Sequence, residues 1–394
     1  SLNKVGDVAA ARARWDQAAA AYDESLQLRR EQHSRLGDTP EIVRDLSVSL
    51  NKVGDVAAAS ARWDQAATAY DESLQLMREQ RSRLGDTPQT LRDLSVSLNK
   101  VGDVAAARAR WDQAAAAYDE SLQLMREQRS RLGNTPQIVR DLSVSLIKVG
   151  DAAAARARWD QAATAYDESL QLMREQRSRL GDTPQIVRDL SISLEKVGDV
   201  AATRARWDQA ATAYDESLQL MREQRSRLGD TPETVRDLSV SLIKVGDAAA
   251  ARARWDQAAA AYDESLLLMR EQRSRLGDTP ETVRDLSISL NKVGDVAAAR
   301  ALWDQAAAAY DESLLLRREQ RSRLGDTPET VRDLSVSLER VGDAAAARDR
   351  NEQAEAAWQE AHTGWARLSA AFPEHAEYRE QAARLAEKRQ RAEA

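Results

Sequence analysis

Asp71 and Glu72 stand side by side, and paired carboxylates are the groups that general acid–base catalysis uses. Such catalysis needs one pair in a singular environment that drives the two pKa values apart. Here the pair recurs in seven copies, from Asp23–Glu24 to Asp311–Glu312, which is the pattern of a solvated helix face. The three histidines, His33, His362 and His375, show no metal-ligand spacing and read as exposed surface residues. Cysteine is absent, which removes disulfides and thiolate metal sites. The glycines occur singly, in contexts such as LGDT and VGD, so no phosphate-binding glycine loop is present. These residues argue for a chain with no catalysis of its own and no cofactor.

A second chemistry is stacking. Trp63 and Tyr70 lie seven apart, on one face of a helix, and aromatic rows of this kind can hold bases or peptide rings. The rows recur too regularly for that. Trp15, Trp63, Trp111, Trp159, Trp207, Trp255 and Trp303 follow one another at intervals of 48 residues. A fixed period in this range is the signature of a solenoid, and the aromatic rows then read as its core.

Composition agrees. The 394 residues are 31% charged and 5% aromatic, with Phe372 the single phenylalanine. That is too lean in large apolar residues for one globular core, but it suits stacked alanine-rich helices, alanine being the best helix former. The net charge of −7 argues against a nucleic-acid partner. No run of 18 apolar residues could span a membrane. The absence of cysteine and of a visible signal peptide suits a cytoplasmic location. Ser1 is equivalent to Ser49, so the expectation is a fragment of a longer chain with its first helix truncated.

The unit from Leu46 to Pro88 sets the elements. In Gly85–Asp86–Thr87–Pro88, glycine can end one helix in a left-handed conformation, and Asp86 or Thr87 can cap the next with proline in its first turn. Gln89, or Glu41 in the first unit, lies three residues after the aspartate and completes a capping-box pattern. Between Pro40 and Leu84 the chain could form one long helix, break at Gly54–Asp55, or break near Ala61–Arg62–Trp63. The apolar stripes Leu46, Leu50, Val53, Ala57 and Trp63, Ala67, Tyr70, Leu74, Met77 favour the last. Helix A is therefore expected over roughly 40–60 and helix B over roughly 63–84. Gly54 falls inside helix A, at a cost of about 1 kcal/mol against alanine, and it recurs from Gly6 to Gly342. This predicts that helix B crosses helix A there.

Leu50, Val53–Gly54, Ala57, Ala66, Tyr70 and Leu74 match the spacing of the tetratricopeptide repeat. The unit resembles a long-helix member of that family, similar to the repeats of kinesin light chains and of bacterial NLR-like sensors. It departs in its 48-residue period and in Ala61–Arg62, which replaces the usual Gly–Asp turn. The resemblance implies an all-α, right-handed TPR-like α-solenoid of eight helix-turn-helix repeats over residues 1–371. Residues 372–394 are then a C-terminal capping helix, a charged tail being the alternative.

One position changes character along the array: Asn3, Asn51, Asn99, Ile147, Glu195, Ile243, Asn291 and Glu339. Four residues on, one helical turn away, stand Asp7, Asp55, Asp103, Asp151, Asp199, Asp247, Asp295 and Asp343. In solenoids of the family this face lines the concave groove. The resemblance thus implies an acidic groove with apolar patches at Ile147 and Ile243, and a basic or mixed extended peptide, or a protein, as partner. Drift at tolerant surface sites is the competing explanation. The expected function is a non-catalytic interaction scaffold. The alternatives are the sensor or autoinhibitory arm of a larger NLR-like ATPase or protease, with an upstream domain in the same chain, and a spacer or self-associating rod.

Overall fold

In the computed structural model the described residues are 2–11 and 14–393; Ser1, with its expected equivalence to Ser49, lies outside them. The described residues are helical with short turns, and no strand occurs among them. The first helices of the repeats are α1 (Leu2–Ala11), α3 (Pro40–Ala59), α5 (Pro88–Ala107), α7 (Pro136–Ala155), α9 (Pro184–Thr203), α11 (Pro232–Ala251), α13 (Pro280–Ala299) and α15 (Pro328–Ala346). The second helices are α2 (Trp15–Leu36), α4 (Trp63–Leu84), α6 (Trp111–Leu132), α8 (Trp159–Leu180), α10 (Trp207–Leu228), α12 (Trp255–Leu276), α14 (Trp303–Leu324) and α16 (Asn351–Ala371). A final helix, α17 (Ala376–Glu393), packs on α16. The chain divides into two compact units, Ser1–Val200 and Ala201–Ala394.

The helix boundaries follow from local chemistry. Gly85 holds φ at +71° just past α4, a region that favours glycine, and its N–H bonds Arg81 O at 2.8 Å. Thr87 then caps α5, with Pro88 at its first position. The capping box differs from expectation. Thr87 and Thr90 satisfy each other's backbone N–H groups, at 3.1 and 2.9 Å, whereas Asp86 instead receives Arg81 at 2.5 Å. Where isoleucine stands at the third position, as at Ile42, only the one-sided bond to Thr39 remains.

The turn between helices A and B is a Schellman motif built on alanine. Arg110 N–H bonds Ala105 O at 2.8 Å, and Ala109 N–H bonds Ala106 O at 2.9 Å. Ala109 sits at φ +54°, as its equivalents Ala61, Ala157, Ala205, Ala253 and Ala301 do at +54 to +58°. An L-residue there costs about 1–2 kcal/mol, part of which glycine would return as unfolded-state entropy. Ala109→Gly is therefore expected to stabilise by about 0.5–1 kcal/mol, read as a higher urea midpoint and slower amide exchange at that turn.

Helix B crosses helix A at the interior glycine. A Cβ on Gly54 would lie 2.7 Å from Tyr70 Cδ1, and one on Gly102 would lie 2.7 Å from Tyr118 Cδ1. The tyrosines are buried, while the tryptophans that begin the helices are half-buried at the edge of the same clusters. In the first unit each small socket takes an apolar residue from the next repeat: Val56 enters Ala9, Ala18 and Tyr22, and Val104 enters Ala57, Ala66 and Tyr70. Buried serines add a hydroxyl chain between helices, with Ser95–Ser121 at 2.7 Å, Ser121–Ser145 at 3.4 Å and Ser143–Ser169 at 2.7 Å. The second unit repeats the pattern, with Val296 in the socket of Ala249, Ala258 and Tyr262.

Candidate functional site

The aspartate row is not the bare acidic stripe expected from sequence. In the first unit Asp55 Oδ1 accepts from Tyr70 OH at 2.6 Å and from Lys100 Nζ, 45 residues on, at 2.6 Å. Asp103 receives Tyr118 and Lys148, and Asp151 receives Tyr166 and Lys196. At Asp7 the bonds from Lys52 and Tyr22 hold the carboxyl below the ordinary carboxylate range. Glu195 and Asp199 are engaged as well. In the second unit Asp247 receives Tyr262 and Lys292, and Asp295 receives Tyr310 at 2.8 Å and both Nε and Nη2 of Arg340. Each cation lies one repeat after its aspartate. The carboxylates thus tie neighbouring repeats together, and the row carries alternating charge. Tyrosine pays for its burial with a strongly raised pKa: desolvation first, then the adjacent carboxylate, disfavours the phenolate at Tyr70.

The variable position lies half-buried beside this row. In the first unit Ile147 packs on the cluster of Ala153, Ala162, Tyr166 and Val200. Asn3, Asn51 and Asn99 each seal an Oδ1 from solvent with no hydrogen-bond donor in reach. In the second unit Ile243 packs on Ala249, Ala258 and Tyr262, and Asn291 again carries an orphaned Oδ1. Glu339, buried at 8% exposure, accepts from Trp365 Nε1 at 2.6 Å and pairs with Arg384 of α17. An open cleft of about 640 Å³ surrounds it, lined by Asp295, Trp303, Arg340, Asp343, Trp365 and Arg384 among others.

Three other readings change with the side chains in view. Glu72 is paired with Arg30 at 2.6 Å rather than simply solvated. The histidines are half-buried rather than exposed: His33 contacts Asp38 at 2.7 Å and His375 stacks on Tyr378. The described residues contain no group of three side chains able to hold a metal, and no helix long and apolar enough to cross a membrane. A second chemically radical position also emerges, the row of Met77. Arginine replaces methionine at Arg29 and Arg317, and each reaches an aspartate 16 residues on, Asp45 and Asp333, at 2.8 Å. Arg317 is only 5% exposed, and burial lowers its pKa despite the pair. The sequence signal was there, in two arginines on an apolar stripe.

A leucine-rich-repeat family model matches residues 87–107. That stretch is α5 with its capping residue, a single helix, so the likeness is one of leucine spacing at Leu91, Leu94 and Leu98. No curated protein matches the chain. Among solved structures, BtubC (BKLC) from P. vanneervenii is similar at TM-score 0.52 and 17% identity, over 68% of this chain and 94% of that one. A Rap protein complexed with Competence and Sporulation Factor is similar at TM-score 0.52 and 11% identity, over 99% of this chain and 98% of that one. The apo form of RapI gives 0.51 and 12%, over 99% and 97%. With consecutive helix pairs repeating at 48 residues, the chain has the fold of a tetratricopeptide-repeat-like α-solenoid.

Proposed function

We propose that the chain is a non-catalytic scaffold that recognises a protein or an extended peptide along the first helices of its repeats. The observation that carries this reading is the concentration of chemical variation at Asn51, Asn99, Ile147, Glu195, Ile243 and Asn291, beside clamps that barely change. Because Asp55, Asp103, Asp151, Asp247 and Asp295 already hold cations, the partner has mixed polarity rather than strongly basic character. A protein of this fold has been solved with a separate factor bound.

The test is selection of random dodecamer peptides on the immobilised full chain, followed by calorimetry of a selected peptide. The triple change Ile147→Asn, Glu195→Asn, Ile243→Asn makes the row uniform with residues the fold already accepts. It is expected to weaken binding at least tenfold, while Glu72→Gln and Glu120→Gln on helix B leave it unchanged. Equal affinity for the uniform row, or loss in the helix B controls, overturns the reading.

A further inference from the structure

In the second unit α17 stands against α15 in the register of a further first helix. Lys388 pairs with Asp343, 45 residues back, as Lys292 pairs with Asp247. One kind of bridge is nevertheless missing at this step. Arg236 reaches Asp285, 49 residues on, at 2.9 Å, and Arg284 reaches Glu329, 45 residues on, at 2.7 Å. The equivalent cation on α15 is Arg332, and the matching places on α17 hold Gln381, which is neutral, and Glu377. Arg332 bridges to neither. It turns back to Asp333 on its own helix at 2.9 Å, a carboxylate that the buried Arg317 already holds at 2.8 Å. Glu377 is exposed and has no cation in reach among the described residues.

Arg332 and Glu377 both line the open cleft beside Glu339. Its volume of about 640 Å³ lies within the roughly 300–1,000 Å³ of small-molecule sites. The other charges of the cleft are engaged with one another or with α17. Asp295 holds Arg340 at 2.9 Å, Glu339 holds Arg384, and Asp343 holds Lys388. One guanidinium and one carboxylate therefore remain without a partner across the cleft, with Val336, Trp303 and Trp365 as apolar wall. From this arrangement we propose that the cleft binds a small zwitterion with an apolar side chain, a free amino acid or a short peptide. Its carboxylate is taken by Arg332, whose planar fork matches a carboxylate with two parallel bonds. Its ammonium is taken by Glu377. A ligand carrying a single charge satisfies one of these groups and meets the other as a like charge. The site requires no macromolecular partner, and so stands apart from recognition along the row of first helices.

The test is calorimetry of the full chain with free L-phenylalanine, with the tripeptide Gly-Phe-Gly, and with N-acetyl-L-phenylalanine amide, which carries neither charge. A zwitterion site predicts saturable binding of at least one of the first two at millimolar concentration and none of the third. The stronger of the two identifies the source as amino acid or short peptide. Phenylacetate and phenethylamine, which carry one charge each, are expected to bind at least tenfold more weakly. Arg332→Gln and Glu377→Gln should each weaken the zwitterion at least tenfold. Gln381→Asp keeps both charged groups and gives Arg332 the carboxylate that Asp285 gives Arg236. It should weaken binding without lowering the thermal unfolding midpoint, which separates loss of the site from loss of the fold. No binding of either zwitterion, equal binding of the blocked compound or of phenylacetate, or unchanged affinity in Gln381→Asp overturns the proposal.

Discussion

Raising the pH from 9 to 11 is expected to unfold the repeats. Tyrosine in an unfolded chain ionises near pH 10. In the fold, burial and then the neighbouring carboxylates push Tyr70, Tyr118, Tyr166, Tyr262 and Tyr310 far above that value. A raised folded-state pKa gives stability that is complete below the unfolded pKa and is lost as pH climbs beyond it, because only the unfolded chain can release the proton. At pH 11 the loss is about 1.4 kcal/mol for each buried ring, about 4 kcal/mol over the three in the first unit and about 3 kcal/mol over the two in the second. Ordinary domains have about 5–15 kcal/mol in all. Phenolate absorbance and helical circular dichroism should therefore change together, above pH 10. Replacing these tyrosines by phenylalanine should move the transition upward. Tyrosines that titrate near pH 10 while helicity stays intact would refute the burial described here.

Gly102→Ala is expected to destabilise, against the usual sense of that change. In an exposed helix interior it would stabilise by about 1 kcal/mol. Here the new methyl would lie 2.7 Å from Tyr118 Cδ1, inside the ring's van der Waals envelope, and Tyr118 is 3% exposed with nowhere to move. Overpacking of this kind costs about 1–3 kcal/mol net of the helical gain. The discriminating measurement is a double-mutant cycle with Tyr118→Ala. The ring's removal destabilises by itself, but in that background the added methyl should turn neutral or favourable. An equal cost in both backgrounds would separate the glycine from the crossing.

Much of this architecture is legible in the residues. Gly85 to Pro88 and the two apolar stripes place the helices to within a residue or two, because glycine, threonine and proline act locally. Gly54 points to the crossing, since a repeated interior glycine needs a reason. The turn at Ala61 is less visible: alanine carries no mark of the left-handed conformation it adopts there. The aspartate row misleads for another reason. Asp55 looks like ligand-seeking charge until Lys100, 45 residues away, is brought to it. The serine chain is hidden in the same way, as Ser95 and Ser121 are mid-helix hydroxyls until packing pairs them. Arg317 was readable as an irregular swap, but its pairing with Asp333 required the fold.

The most direct test of recognition by the first helices is site-specific photo-crosslinking to a display-selected peptide. A benzophenone side chain at Asn99 or Ile147 should capture the peptide, and one at the exposed Gln171 of helix α8 should not. Capture at Gln171 with none at Asn99 or Ile147 would contradict the account, because the partner would then lie on the helix B face.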